Sequence, residues 1–335
     1  MNRPFSDVAK IKCRDRSALL QKVLVDFGAD ESFAGAVEKV KEHYSVEVSC
    51  STTRLDVEKH AQIIHDQIDK KILLVIPKNE ASVIIGETDG SMVPMVMKKN
   101  ENDKDCDQRK NKKHEWKEVR LALAQPIGSV DPIYAATTGS VDDAGEKLAD
   151  AVKSAGEGEK TKIHCLGDGA TWVADQVDKK FGSKATFTLD FYHVSEYLAQ
   201  AATCCAPNSS HDWMREQQAL LKDSNAKRVL ENIQNHTINC PQKDNCPALR
   251  CFNYLSKRLD QLDYKRAIDA NLPIGSGEIE SAHRSIVQAR LKIPGAWWTQ
   301  CNAQNMLDLR TVRANGLWNK YWSSINTSGG AHAYG

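Results

Sequence analysis

Three carboxylates are placed where they could share a metal ion. Asp89 lies in Glu87-Thr88-Asp89-Gly90, Asp168 in Gly167-Asp168-Gly169-Ala170, and Glu280 in Gly275-Ser276-Gly277-Glu278-Ile279-Glu280-Ser281. Both aspartates follow short apolar runs, so both are expected where a strand ends, and strand ends at one edge of a sheet converge in space. Glu280 is 112 residues beyond Asp168 (280 − 168) and must come from a helix packed beside that edge. A set of oxygen donors suits Mg2+ or Mn2+ and not Zn2+. Taken singly, an Asp-Gly pair is more often a turn; the joint arrangement carries the expectation.

Other polar residues gather near these positions. Asp190 and His193, in Leu189-Asp190-Phe191-Tyr192-His193, are three apart and share a helical face, where the imidazole could reach a strand end or a phosphate. An Asp that caps a helix beside a buried His is the equally open alternative. His283, Arg284, Arg290 and Lys292 follow Glu280 with no acid between them, which suits a DNA backbone, although some basic faces are only solvated. Trp298 adjoins this stretch and is the aromatic best placed for DNA, whereas Trp318, Tyr321 and Trp322 read as packing anchors.

The elements that position these residues follow from periodicity. Leu19 to Phe27, Phe33 to Tyr44 after the cap Ser32, and Val57 to Ile68 after Ser51-Thr52-Thr53 have helical spacing. Three short helices with a tight connection at 45–50 suit a helix-turn-helix over 1–70, whose last helix would turn Thr52, Thr53, Arg54 and Lys59 toward DNA. A bundle that only supports the next domain is the alternative.

Beyond residue 71 the pattern becomes β-like. Val83-Ile84-Ile85 and Ser91 to Val96 read as two strands around an Asp-Gly turn, and Trp116 to Leu123 as a third with Val119, Leu121 and Leu123 on one face. The charged run from Lys98 to Lys113 reads as a solvated loop. A helix over 141–152, a strand over 163–166, a helix over 171–181 and a strand over 185–189 complete a mixed α/β pattern. After Asp190 almost everything reads as helix.

Composition sets limits. Hydrophobic residues at 41% against 27% charged match an ordinary soluble globular protein, and no apolar run is long enough to span a bilayer. The segment Met1 to Ser6 lacks a signal-peptide core, so a cytoplasmic protein without a membrane partner is expected. Ten scattered cysteines show no disulfide framework. His236, Cys240, Cys246 and Cys251 contain no Cys-x-x-Cys pair, so structural Zn2+ is the lesser expectation there.

Several motifs together resemble bacterial insertion-sequence transposases, nearest to the Kra-type group related to the Mutator-like enzymes. They are Glu87 to Pro94, Trp116-Lys117-Glu118, Gly167 to Ala170 with Trp172, Leu189 to His193 with Glu196-Tyr197-Leu198, Leu272 to Ser281, and Arg290-Leu291-Lys292 with Trp298. The match runs colinearly over about residues 30–322. It implies an RNase H-like DDE core over 71–200 and 271–325, interrupted by a helical insertion over 201–270 and followed by a flexible tail at 326–335. Asp89, Asp168 and Glu280 become the first, second and third metal ligands for two Mg2+ or Mn2+ ions. Glu280 is preferred to Glu278, and Asp190 with His193 matches the family's Asp-x-x-His element near the active site.

The implied activity is cutting of element ends in double-stranded DNA and joining of the 3′ hydroxyl to target DNA. Bringing two ends together implies a homodimer or higher oligomer. Two other functions share most of these features: a DNA-binding regulator descended from such an enzyme, and an RNase H-like nuclease that never joins strands.

Overall fold

The computed structural model describes residues 16–98, 112–237 and 246–331. At its centre is a mixed five-stranded sheet in the order β3-β2-β1-β4-β5. β1 (Val83–Lys98), β2 (Lys112–Pro126) and β3 (Ile133–Thr137) form an antiparallel meander; β4 (Lys162–Gly167) lies parallel to β1, and β5 (Ala185–Leu189) parallel to β4.

The sheet is covered on both faces because its strands alternate two apolar sets. Leu121 and Leu123 of β2, with Val93 and Met95 of β1, belong to the same buried cluster as α3, α11 and α13. Here α3 is Cys50–Asp69, α11 is Gly277–Ala282 and α13 is Gln300–Ala314. Ala122 and Ala124, with Ile84, pack instead with α4 (Val141–Ser154) and α5 (Thr171–Phe181). Val119, Leu121 and Leu123 are all buried on one face, as their spacing predicts.

Two strand expectations need correction. Glu87 to Gly90 is no turn: β1 is one 16-residue strand in which Asp89 pairs with Leu121 and Gly90 with Arg120. An Asp-Gly pair marks a turn only where the glycine takes a positive φ, and Gly90 is not among the glycines that do. The third strand of the meander is Ile133–Thr137, a short run easily passed over once a supposed turn at Asp-Gly splits β1 into two of the three strands. Most of the charged run from Lys98 to Lys113 lies outside the described residues.

Helices α1 (Ala18–Asp30), α2 (Phe33–Tyr44) and α3 stand close to their expected bounds, with Ser32 accepting from the Gly35 amide at 3.0 Å as the predicted cap. They do not, however, form a unit separate from the sheet. Val25, Ala29, Val57, Ala61 and Ile64 share one core with Val93, Leu121 and Leu309, so residue 70 is not a packing boundary.

The helices after β5 behave differently. α6 (Phe191–Cys205), α7 (Ser210–Lys222), α8 (Ala226–Thr237), α9 (Pro247–Ser256) and α10 (Tyr264–Asp269) enclose their own core around Leu198, Val229, Cys251, Leu255 and Tyr264. That core begins at Leu189 and Phe191, ahead of the expected boundary at 201. The chain then returns through α11, a π-helical segment His283–Gln288, α12 (Ala289–Leu291), α13 and α14 (Trp318–Ala331). Tyr321 and Trp322 are buried anchors, as expected. Among the described residues, no helix is long and apolar enough to cross a membrane.

Candidate metal-binding carboxylate site

Sheet register brings the two aspartates side by side. β1 and β4 run parallel, with Glu87 opposite Leu166, an offset of 79 residues (166 − 87). Asp89 and Asp168 each lie two residues beyond that last pair, Asp168 in the bend that follows β4, and they are near enough for Asp168 to raise the Asp89 carboxyl. Adjacent strands are about 4.8 Å apart. Asp168 is exposed and Asp89 half-buried, so both lie open at the surface of this edge.

The third carboxylate arrives from the opposite side of a network of buried hydrogen bonds. The Glu87 carboxylate accepts from the backbone N–H of Ile279 at 2.9 Å and so fixes the first turn of α11 against β1. Asp190 does the same for the turn ahead of it: Oδ2 accepts from Ser276 N at 2.5 Å and from Ser276 Oγ at 2.6 Å. The Asp190 amide donates to Gly167 O at 2.8 Å, which ties the turn before Glu280 to the strand end before Asp168. His164 adds a bond from Nε2 to Pro273 O at 2.9 Å. A Cβ at Gly275 would stand 2.5 Å from the Tyr192 ring and would displace that exposed side chain.

Glu280 itself is exposed and, like Asp168, has no ion-pair partner among the described residues. Glu278, its rival, is drawn toward β2 by Gln125, whose Nε2 donates to it at 2.7 Å. Repulsion separates the two in the same way: Glu280 raises the pKa of Asp89 together with Asp168 and Glu118, and Glu278 is not among those causes.

The electrostatics are those of negative charge left uncompensated. Burial, reinforced by repulsion from Asp168, Glu118 and Glu280, pushes Asp89 up to about 6. Burial first, and then Glu278, Asp190 and Glu280, push Glu87 up to about 8 despite its bond from Ile279. His283 faces Asp89, with Nε2 3.1 Å from the Asp89 carbonyl oxygen and 3.6 Å from Oδ2. Burial holds that imidazole down at about 4, so it is neutral and supplies no cation.

The Asp89, Asp168 and Glu280 oxygen donors, which repel one another and among the described residues form no ion pair with Lys or Arg, fit a hard divalent cation. Among the described residues, no three His, Cys, Asp or Glu side chains are yet drawn close enough to hold one. Ion binding therefore requires side chains to turn inward, which the exposure of Asp168 and Glu280 permits.

Glu87 is concealed in the sequence by the supposed turn around it. Its i, i+2 spacing from Asp89 is the signal that could reveal it, because a strand sets both on one face. Asp190 and His193 do not act as a pair. Asp190 caps α6 through the His193 backbone N–H at 2.7 Å, while the imidazole lies 3.7 Å from Glu196 and edge-on to Tyr197 and Tyr254.

The expected DNA contacts divide by burial. Thr53 is fully buried and donates to Ser49 O; Thr52 is partly exposed, and Arg54 and Lys59 are exposed. His283 and Arg290 are buried and cannot meet a phosphate. The Arg290 guanidinium lies between the Phe33 and Trp298 rings, 4.8 Å from each centroid, and donates to Gly28 O at 2.9 Å. Trp298 is buried too, donating to Leu291 O at 3.1 Å, whereas its neighbour Trp297 is exposed and stacks on His114. Lys292 bonds Ser91, and Arg284 points to solvent. Identity alone could not separate these cations, because the π-helical segment after Ala282 turns His283, Ile286 and Val287 inward and leaves Arg284 and Ser285 exposed.

Cys246 and Cys251 are buried in the apolar core of the α6–α10 region, with burial pushing the Cys251 thiol up to about 12, while His236 is exposed. Cys240 lies outside the described residues.

Residues 7–321 match the family described as "Uncharacterised protein family (UPF0236)". The sequence is also similar to a Streptococcus gallolyticus protein, "UPF0236 protein in vanSb 3′ region", at 25% identity over 198 residues. That stretch is 58% of this chain and 42% of the relative, so the match spans less than half of the relative's length.

Proposed function

The chain belongs to the UPF0236 family, and we propose that it is a DNA transposase of the DDE class, with an RNase H-like core and Asp89, Asp168 and Glu280 as the ligands of two Mg2+ or Mn2+ ions. One observation carries this: Asp168, just past the end of the strand parallel to β1, and Glu280, on a helix whose first turn is tied to β1, both lie near enough to raise the Asp89 carboxyl. The sheet order, with an antiparallel meander extended by two parallel strands and a helical region between β5 and α11, supports the RNase H-like core that the sequence resemblance implies.

Divalent ions held by Asp89, Asp168 and Glu280 would activate an oxygen nucleophile and neutralise charge on phosphorus during in-line displacement. The chain's own residues hold the ligands for that role. His283 steadies Asp89 without adding charge, Glu87 accepts from Ile279 and fixes the helix of Glu280, and Asp190 joins the approaches to Asp168 and Glu280. Arg284, exposed one turn after Glu280, is placed to contact a DNA backbone. Double-stranded element ends and target DNA are the substrates, and pairing of two ends calls for a dimer or larger oligomer.

The test is divalent-dependent nicking and strand transfer on duplexes made from the DNA that flanks the gene. Wild type is expected to cut with Mg2+ or Mn2+, and Asp168→Ala to lose roughly a hundredfold or more in rate. Equal activity in Asp168→Ala would sink the assignment of this site.

A further inference from the structure

We infer that the helical region between β5 and α11 holds the second carboxylate in place, with Tyr254 and Arg258 as positioning residues that grip the backbone of Asp168 and Gly169. This rests on Asp168 being a metal ligand. Tyr254 comes from α9, and its hydroxyl donates to Asp168 O at 2.6 Å. Arg258 donates to the next carbonyl, Gly169 O, from Nε at 3.0 Å and from Nη2 at 2.7 Å.

The two grips reinforce each other. Arg258 Nη1 donates to Tyr254 O at 3.0 Å, and its guanidinium lies 4.2 Å from the Tyr254 ring centroid. The Tyr254 ring also stacks on Tyr197 of α6, with centroids 4.0 Å apart and planes 6° from parallel. Ala248, Cys251 and Leu255 bury the opposite side of α9.

Consecutive carbonyls held in this way stop the peptide unit between residues 168 and 169 from rotating, and the direction of the Asp168 side chain follows from it. Gly169 accommodates the clamp: its φ is +86°, and a Cβ there would stand 2.4 Å from the Tyr254 hydroxyl. A helical region that reads in sequence as a mere interruption of the core is thereby joined to the metal site by a rigid lever.

The test uses the full chain and Mn2+ alone, with bound and free ion distinguished by electron paramagnetic resonance. Hydrogen exchange over residues 167–171 is followed in parallel. Tyr254→Phe retains the ring stack and removes only the hydroxyl; Arg258→Lys keeps the charge and loses the fork. Both are expected to melt like wild type, to bind Mn2+ roughly tenfold more weakly and to exchange faster at 167–171. Wild-type affinity and exchange in both variants, with binding lost in Asp168→Ala, would overturn the clamp and leave the carboxylate site standing. Mn2+ binding that Asp168→Ala leaves untouched would remove the site and the clamp's purpose together. If Tyr254→Phe fails to fold, Arg258→Lys decides by the same two readouts.

Discussion

Two helical regions of this chain have the same periodicity in sequence and opposite roles in the fold. α1 to α3 give their apolar faces to the sheet, whereas α6 to α10 give theirs mostly to one another. The polar contacts follow that division. His60 joins Gln21 at 2.9 Å and the hydroxyl of Tyr321 at 2.6 Å, and Arg290, just beyond the π-helical segment, bonds Gly28 O. Arg310 bonds Ala29 O on one side and the Ser285 and Ile286 carbonyls of the π-helical segment on the other. The N-terminal helices are therefore welded to the segment that follows Glu280, and the later helices reach the site through the Asp190 cap of α6 and the grip of Tyr254 and Arg258. A helical stripe reports that a face is buried; it does not report against what.

The largest expected effects break or keep this contrast directly. Ile64→Ala, in the shared core, should cost about 2–5 kcal/mol. Hydrogen exchange should show protection falling together in α3, β1, β2 and α13. A fall confined to residues 16–70 would mean that these helices form a separate domain after all. Leu255→Ala removes a similar volume from the second core at a similar cost of about 2–5 kcal/mol. Here the effect should concentrate in 191–269, with β1 and β2 still protected. A uniform fall would erase the distinction.

What is legible in the sequence follows the same division. Short-range signals carry through: Ser32 caps α2, the helix over 171–181 and the strand over 185–189 agree to the residue, and Val119, Leu121 and Leu123 share a buried face. Long-range facts do not. That Gly90 stays extended depends on β2 lying alongside, and that Arg290 is buried depends on Phe33 and Trp298 closing over it. The approach of the two aspartates rests on β1 and β4 running parallel at a separation of 79 residues, which no local pattern encodes.

The next effect comes from Glu87, which joins the sheet to the Glu280 helix. Its carboxyl titrates near 4.5 when unfolded and at about 8 when folded, so between these values the folded chain holds the extra proton. The stability it contributes is complete below pH 4.5 and is lost as pH rises through 8. Asp89 has the same sign between 3.8 and about 6. Without divalent ions, wild type should lose on the order of 4 kcal/mol between about pH 5 and 8. Glu87→Gln should flatten that slope and melt higher than wild type at about pH 8. Because Glu87 sits in the shared framework, the change should appear in β1 and α3 and spare α7 to α9. A wild-type slope that Glu87→Gln does not alter would show that the carboxyl is already ionised in the folded chain.

The smallest effect concerns the surface of α3, whose exposed cations would meet DNA under the proposed function. Lys59 is exposed, and Arg54 is exposed but shares its charge with Glu58 at 3.6 Å. Removing one cation that neutralises a phosphate should reduce the slope of log affinity against log salt by about 0.9. Lys59→Ala should therefore weaken duplex binding by roughly 1 kcal/mol or less and lower the slope, and Arg54→Ala should do less, because Glu58 already offsets part of its charge. Arg290→Gln provides the contrast: a buried guanidinium has no counterion to release, so its replacement should lower the melting temperature and leave the salt slope unchanged. A slope altered by Arg290→Gln and untouched by Lys59→Ala would place DNA on the far side of the helix, and α1 to α3 would then have to separate from the sheet to bind it.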